Sequence, residues 1–414
     1  MTNYDFLYDK SYYGEVLYED CFADKKLGYK EIRHGTILPF KRVKAGTGLG
    51  GGILDGDGCY IESTSLHTGF GVPYETDVIK EQKDSSVVIY LGMFHGIWGH
   101  CLTDNIRRLW FLKTEVYRAK FSHCPLVYIP LGDFQFQRNF KELLEILGLD
   151  CSNFIPVRQA VKYHKIILPD ESFFTLDGGR RYFTAEYRDL IDCIREYGIN
   201  NRTPVPYRNV YFSYASYRQF KQIGEKRIEE YLKQKGYSVI VPEKLTFKEQ
   251  LNILVQCERF ASTIGSCSHN LIFLKDHTKV LLIPRANYLT GYQLALDQVH
   301  NLDITYTDSS LSIFAAASPW DGPFYYFISD RLMAYFGDRQ KRGRRYWLRE
   351  FKYFGIYILY GLHYGQGTNA GAYKYYSGVA AECLGQYMRA DKKTRIKRLA
   401  VKAYMFLKQK AGQL

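Results

Sequence analysis

From Ser85 onward the sequence alternates short apolar runs with amphipathic helical patterns, and this alternation constrains the fold more than any other feature. SSVVIYLG, LVYIP and KIILP read as buried strands, with a helical stripe at Leu102, Ile106, Leu109, Leu112 and Val116 and a second helix at FKELLEILG between them. After NNRTPVP (200–206), a Pro- and Asn-containing linker, the alternation resumes more clearly. NVYFS, YSVIVP, FASTIG and KVLLIP are strands, a helix is expected from about Gln219 to Lys235, and Thr246 with Glu249 has capping-box spacing at the start of another. HNLIFLKD is a short helix. Alternating strands and helices imply parallel sheets covered by helices, which bind ligands beyond the carboxyl ends of their strands. Residues 1–80 are β-rich and irregular, with a hairpin at ILDGDGCYIE (53–62).

Composition excludes several classes. The 414 residues are 46% hydrophobic and 24% charged, an ordinary globular balance. No apolar run approaches the ~20 residues of a membrane-spanning helix, and MTNYDFLYDK lacks a signal-peptide pattern. Nine scattered cysteines without a C-x-x-C pair suggest reduced cytoplasmic thiols. The net charge of +13 is concentrated at one end: residues 331–414 hold 18 Lys/Arg and 4 Asp/Glu, whereas residues 1–330 are near neutral. A basic, Tyr-rich tail on a neutral body points to docking on an anionic membrane surface rather than to nucleic acid. Asp391 to Lys410 can be written as one helix with an apolar stripe and a cationic remainder, either lying on a membrane without spanning it or packing on the C-terminal domain as one more helical layer with its cations solvated.

Three segments could carry chemistry. In FHGIWGHCLTDNIRRLW (94–110), His100, Asp104 and Arg107 or Arg108 share one helical face, opposite the apolar stripe. A carboxylate beside an imidazole is a plausible base for an incoming hydroxyl; the competing reading is an Asp104–Arg108 ion pair on an ordinary helix. In SYASYRQFKQIGE (213–225), Arg218 and Lys221 would sit near a helix start, where backbone N–H groups favour phosphate. In IGSCSHNLIF (264–273), Gly265 permits close backbone approach while Ser266, Ser268, His269 and Asn270 offer hydrogen bonds. GTGLGGG (46–52) reads as a flexible turn, and Asp55 and Asp57 fit the hairpin turn better than a metal site.

Taken together, these segments resemble glycosyltransferase family 61, often of the bacterial capsular polysaccharide type, over roughly residues 50–300. HGIWGHCLTDNIRRLW resembles the family's His-and-acid helix. The stretch from YFSYASYRQF to EKLTFKEQLNIL resembles its "SR…NE…PE…EQ" region, and IGSCSHNLIF its Gly-small…Asn…Phe loop. Tyr214 stands where the family usually has Arg, Lys221 where it has a second Arg, Gly224 where it has Asn, and Ile264 where it often has His.

The resemblance implies an α/β, GT-B-like architecture of two Rossmann-like domains facing across a cleft. Here that means residues 1–199 on the acceptor side, 200–310 binding the nucleotide sugar, and 311–414 as a basic, aromatic helical extension. It implies an inverting transfer without metal or cofactor, from a nucleotide sugar to a glycan or glycolipid hydroxyl. Asp104, oriented by His100, would be the base. Arg218, Lys221, Glu243, Gly265, Ser266, Ser268, His269 and Asn270 would hold the donor, with His95 and Arg107 on the acceptor side. An alternative is a binding protein of the same fold that has lost transfer chemistry. The expected location is cytoplasmic, peripheral on the inner face of the plasma membrane.

Overall fold

In the computed structural model, the described residues are 2–7, 17, 19–43, 49–66, 72–76, 79–81, 86–176, 179–216, 222–285, 289–311, 322–338, 348 and 350–358. The N-terminal half is built on a five-stranded sheet ordered Tyr29–Arg33, Lys165–Pro169, Val87–Phe94, Leu126–Pro130, Phe154–Pro156. Only Tyr29–Arg33 runs antiparallel to its neighbour. The central strand is buried at every position from Val88 to Phe94, as a parallel strand covered on both faces requires. Helix Arg138–Ile146 buries Phe140, Leu143 and Leu144, one face at i, i+3 and i+4. A separate small sheet carries the 53–62 hairpin. Asp55 Oδ1 accepts from the backbone N–H of Asp57 (3.0 Å) and Cys59 (2.8 Å), so Asp55 is occupied by the turn. Gly50, Gly51 and Gly52 lie in strand Leu49–Leu54 rather than in a flexible turn, and residues 46–48 of that motif lie outside the described residues. A Cβ at Gly52 would lie 2.7 Å from Thr64 Oγ1 and 2.8 Å from the Tyr60 hydroxyl, so only glycine fits that strand.

The C-terminal half is built on a six-stranded, wholly parallel sheet ordered Asn3–Phe6, Asp303–Thr307, Lys279–Ile283, Arg259–Thr263, Asn209–Phe212, Ser238–Ile240. Helices Glu225–Gln234 and Phe247–Leu254 connect its strands, the second opened by the Thr246–Glu249 capping box. The chain's first strand thus adds to the far edge of the last sheet, across the boundary expected at residue 200. Helix Ala185–Asn200 crosses it too: a Cβ at Gly198 would meet Leu251 and Val255 at 2.7 and 3.0 Å. One apolar core runs without a break from Ile89 to Tyr306.

The helix expected from Gln219 begins only at Glu225. Gln222–Ile223 pairs with Phe324–Tyr325, and Gly224 then turns through a left-handed conformation (φ +90°) that a side chain would resist. The start of the C-terminal extension packs on this half. Residues 350–358 are helical, Arg227 and Tyr325 both donate to the Glu350 carboxylate, and Phe354 and Tyr357 pack on the Tyr325 ring. Strand Phe324–Tyr326 and helix Asp330–Tyr335 also belong to the stretch expected as a helical extension, while residues 359–414, including the 391–410 helix expected from sequence, lie outside the described residues. Among the described residues no helix is long and apolar enough to cross a membrane.

Candidate active site

The strand Val87–Phe94 runs into the segment expected to be one amphipathic helix, and that helix does not form. A short α-helical turn, Trp98–His100, gives way to a wide π-helical turn, Cys101–Asn105, and then to a 3-10 turn, Leu109–Lys113. The widened turn breaks the 3.6-residue register, so the polar and apolar residues no longer lie on opposite faces. Every residue from Cys101 to Leu112 is buried. Arg108 pairs with Glu171 and not with Asp104. Arg107, expected on the acceptor side, is only 2% exposed and bonds the Ser65 carbonyl (2.6 Å) and Glu171 (3.1 Å). It supports the site from beneath rather than facing an acceptor.

The wide turn leaves one pair together. His100 Nδ1 lies 2.7 Å from Asp104 Oδ2, with the imidazole 28% exposed and the carboxylate 3%. The Thr103 hydroxyl lies 2.9 Å from the same oxygen. Asp104 Oδ1 accepts from the Tyr292 hydroxyl at 3.3 Å and has Arg107 Nη1 at 3.8 Å. Burial, and next the Asp104 charge, push the Tyr292 phenol well above its usual range, so it stays a donor. Both Asp104 oxygens are thus engaged inside the protein, while the imidazole reaches the surface. The carboxylate expected from sequence to be the base is the buried member of the pair, and the imidazole expected to orient it is the part-exposed one, a geometry also found where an aspartate orients a histidine. The His95 ring, half-buried, lies 4.5 Å from that of His100.

The loop after strand Arg259–Thr263 closes on this pair from the other half of the molecule. A Cβ at Gly99 would stand 2.9 Å from His269 Nδ1 and 3.0 Å from Ser266 Oγ, and Trp98 Nε1 donates to Asn270 Oδ1 at 3.0 Å. Asn270 Nδ2 donates to the Cys267 carbonyl, and Ser268 Oγ accepts from the Gly265 N–H and contacts Gln293. Ser268 and Asn270 therefore spend their polar atoms on the turn and on Trp98, leaving Gly265, Ser266 and His269 at its partly exposed edge. Burial, and next the neighbouring His100, push the His269 imidazole down to about 3, so it is neutral at any working pH. Glu243 is an exposed residue of the Pro242–Lys244 turn, close enough to raise the buried Cys267 thiol. Arg218 and Lys221 lie outside the described residues.

Two side chains not singled out from sequence belong to this site. Tyr292, on helix Gly291–Leu296, holds Asp104 from the opposite half; nothing in local periodicity marks it. Arg285 stands two residues past strand Lys279–Ile283, after Pro284, at the carboxyl edge of the parallel sheet. A cation just beyond a buried strand was the legible sign there. Among the described residues no cluster of three or more His, Cys, Asp or Glu side chains is placed to hold a metal ion.

The segment holding both the dyad and the loop also matches a known family. Residues 98–281 match the family model described as Glycosyltransferase 61. These residues are a glycosyltransferase 61 domain, and the protein is a glycosyltransferase. No curated protein matches the chain. The matched stretch of the glycosyltransferase opens at Trp98 and ends at Leu281, so it contains His100, Asp104 and Gly265 to Asn270 but stops short of Arg285 and Tyr292. A glycosyltransferase takes a sugar donor and a glycan acceptor.

Proposed function

We propose that this glycosyltransferase moves a sugar, with inversion and without a metal, from a nucleotide sugar to a hydroxyl of a surface polysaccharide or its lipid-linked precursor. The two halves act as the facing units of a GT-B-like enzyme. The observation that carries this reading is the His100–Asp104 dyad, pressed by the wide turn against the loop at the carboxyl edge of the second sheet. In such sheets ligands bind at that edge, which puts the donor beside Gly265, Ser266 and His269, near the turn that carries Glu243; Arg218 and Lys221 stay in the proposal as the donor cations expected from sequence. Ser268 and Asn270 shape the turn. The acceptor enters past His95. His100 takes the proton of the acceptor hydroxyl as its oxygen attacks the anomeric carbon, and Asp104 stabilises the imidazolium that forms. Developing oxocarbenium character at the sugar is matched by charge on the departing diphosphate, which fixed cations and backbone N–H groups stabilise.

His100→Ala and Asp104→Asn should both retain nucleotide-sugar binding and lower turnover by about two to four orders of magnitude, the usual worth of a general base. Activity within a few-fold of wild type in both would sink the assignment. Transfer should also survive chelation; loss with EDTA and rescue by manganese would overturn the metal-free mechanism.

The basic extension extends the proposal to location, at the cytoplasmic face of an anionic membrane where a lipid-linked acceptor would be found. The support is the excess of 18 cations over 4 acids in residues 331–414, each cation near such a surface being worth about 1 kcal/mol. The full chain should sediment with anionic liposomes at low salt and release at high salt, and a chain ending at Ala390 should bind less. Equal binding by the two, or none by either, removes the last helix from that role.

A further inference from the structure

We propose that Arg285 is the cation that receives the donor's diphosphate, an inference that rests on the donor site proposed above. It follows strand Lys279–Ile283 at the carboxyl edge of the second sheet, immediately across from the Gly265 turn. Its guanidinium carbon lies 5.1 Å from the centroid of the Tyr214 ring and 5.3 Å from that of Phe324. Stacking of this kind fixes the plane of a guanidinium while leaving its N–H groups free to donate. No hydrogen bond or ion pair from Arg285 to another described residue is formed, and its buried Nε has no partner. A buried donor left in that state is costly unless something else satisfies it. Gly265 makes the room: a Cβ there would stand 2.4 Å from Arg285 Nη2 and 2.7 Å from its Cζ, and the backbone holds φ +147°, which a side chain would resist. The Gly265 turn and the arginine are therefore shaped around each other.

The surroundings give this cation a direction. His269 feels both the His100–Asp104 dyad and Arg285. The loop thus separates a proton acceptor on one side from an unpaired planar cation on the other. In a single displacement the acceptor oxygen bonds to the anomeric carbon as the bond from that carbon to the phosphate oxygen breaks. The electron pair of the broken bond stays on the diphosphate, and the acceptor's proton goes to His100. The negative charge then appears on the Arg285 side of the loop, where a bidentate fork matches two phosphate oxygens. Tyr214 fits the same arrangement. Its hydroxyl accepts from the Cys267 N–H at 2.9 Å, so the residue builds the turn with one end and carries the guanidinium on its ring face.

The experiment measures binding of UDP, GDP, CDP, ADP and dTDP, and of the matching nucleosides, to the full chain, with inorganic pyrophosphate as competitor. It is repeated on Arg285→Gln, which keeps the stem and a planar end without charge, and on Arg285→Lys, which keeps the charge without the fork. Wild type should bind at least one nucleoside diphosphate, displaceable by pyrophosphate. Arg285→Gln should bind that diphosphate 30-fold or more weakly, on the order of a lost charged hydrogen-bond pair, with nucleoside affinity unchanged, and Arg285→Lys should fall between. Equal diphosphate affinity in wild type and Arg285→Gln overturns the assignment. If Arg285→Gln does not fold, undiminished affinity in Arg285→Lys overturns it instead. If wild type binds none of the diphosphates, the donor reading itself fails, and the Arg285 assignment falls with it.

Discussion

Gly99 shows how much of this site depends on single atoms. It occupies a helical turn, where alanine would ordinarily be favoured by about 0.8–1.0 kcal/mol. Yet a methyl group there would press His269 Nδ1 at 2.9 Å and Ser266 Oγ at 3.0 Å, closer than real Cβ contacts come. The loop would have to retreat from the dyad by a few tenths of an ångström. Helix propensity and this strain oppose each other, so Gly99→Ala should leave the melting temperature within a few degrees of wild type while lowering turnover at least tenfold. A variant that transfers sugar normally would show that the Gly99–His269 approach is incidental. Histidine and aspartate could both be picked out of HGIWGHCLTDN as candidates, but Gly99 was not. The division of labour between His100 and Asp104 could not, because it depends on which of the two is buried, and burial is set by Tyr292 and Arg107 converging on the carboxylate.

At the scale of elements, the strands were the legible part. LVYIP and KIILP are strands over all five of their residues, because a β-branched apolar run that short can be buried on both faces only in a sheet. The Thr246–Glu249 cap was legible for a similarly local reason: both of its hydrogen bonds lie within four residues. The segment 98–113 was not. Its periodicity describes a helix with one wet face, but both faces are enclosed, by the first sheet's layer on one side and by helix Ala185–Asn200 on the other. With no face left for solvent, the polar residues bond inward. Asn105 closes on the His95 carbonyl, Arg108 on the carbonyls of Ser63 and Pro169, and Trp110 on that of Asp170. Those distant carbonyls fix where each side chain must sit, and the segment meets them through π-helical and 3-10 turns rather than one regular helix.

Across the whole molecule, four buried titratable groups set an expected stability profile. His269 and His300 are both pushed down from 6.5 to about 3, chiefly by burial. Between those values the native chain binds fewer protons than the unfolded one, so each histidine makes stability rise with pH up to about 6.5. Glu225 and Asp297 are both raised to about 7, again chiefly by burial. From their ordinary values near 4 up to about 7 the native chain binds more protons, so each carboxyl makes stability fall as pH rises. Two slopes of each sign offset one another between about pH 4.5 and 6.5, and below about 4 only the histidines act. Asp150, Glu249 and Asp338, held low by hydrogen bonds, add to the same acid loss. The melting temperature should be nearly level from pH 5 to 6.5 and drop steeply below 4. His300→Gln, remote from the dyad, removes one rising slope, so its melting temperature should climb as pH is lowered from 6.5 to 4.5. A wild-type melting temperature that rises steadily across that interval would contradict the offset.

What the sequence determined by itself is whatever a few neighbouring residues can enforce: short buried strands, the capped helix, the Asp55 turn, the concentration of charge at one end, and the chemical types that a sugar transfer needs. What only the tertiary structure decided depends on residues far apart in the chain. Asn3–Phe6 joins a strand three hundred residues away because the edge of the last sheet is open to it, and no local pattern encodes that pairing. Arg285 reaches Gly265 and Tyr214 because adjacent parallel strands end side by side, bringing their following residues together whatever their separation in sequence. The dyad takes its working form for the same reason. A carboxylate and an imidazole four residues apart become a buried group and a part-exposed one only when the other half of the molecule closes over one of them.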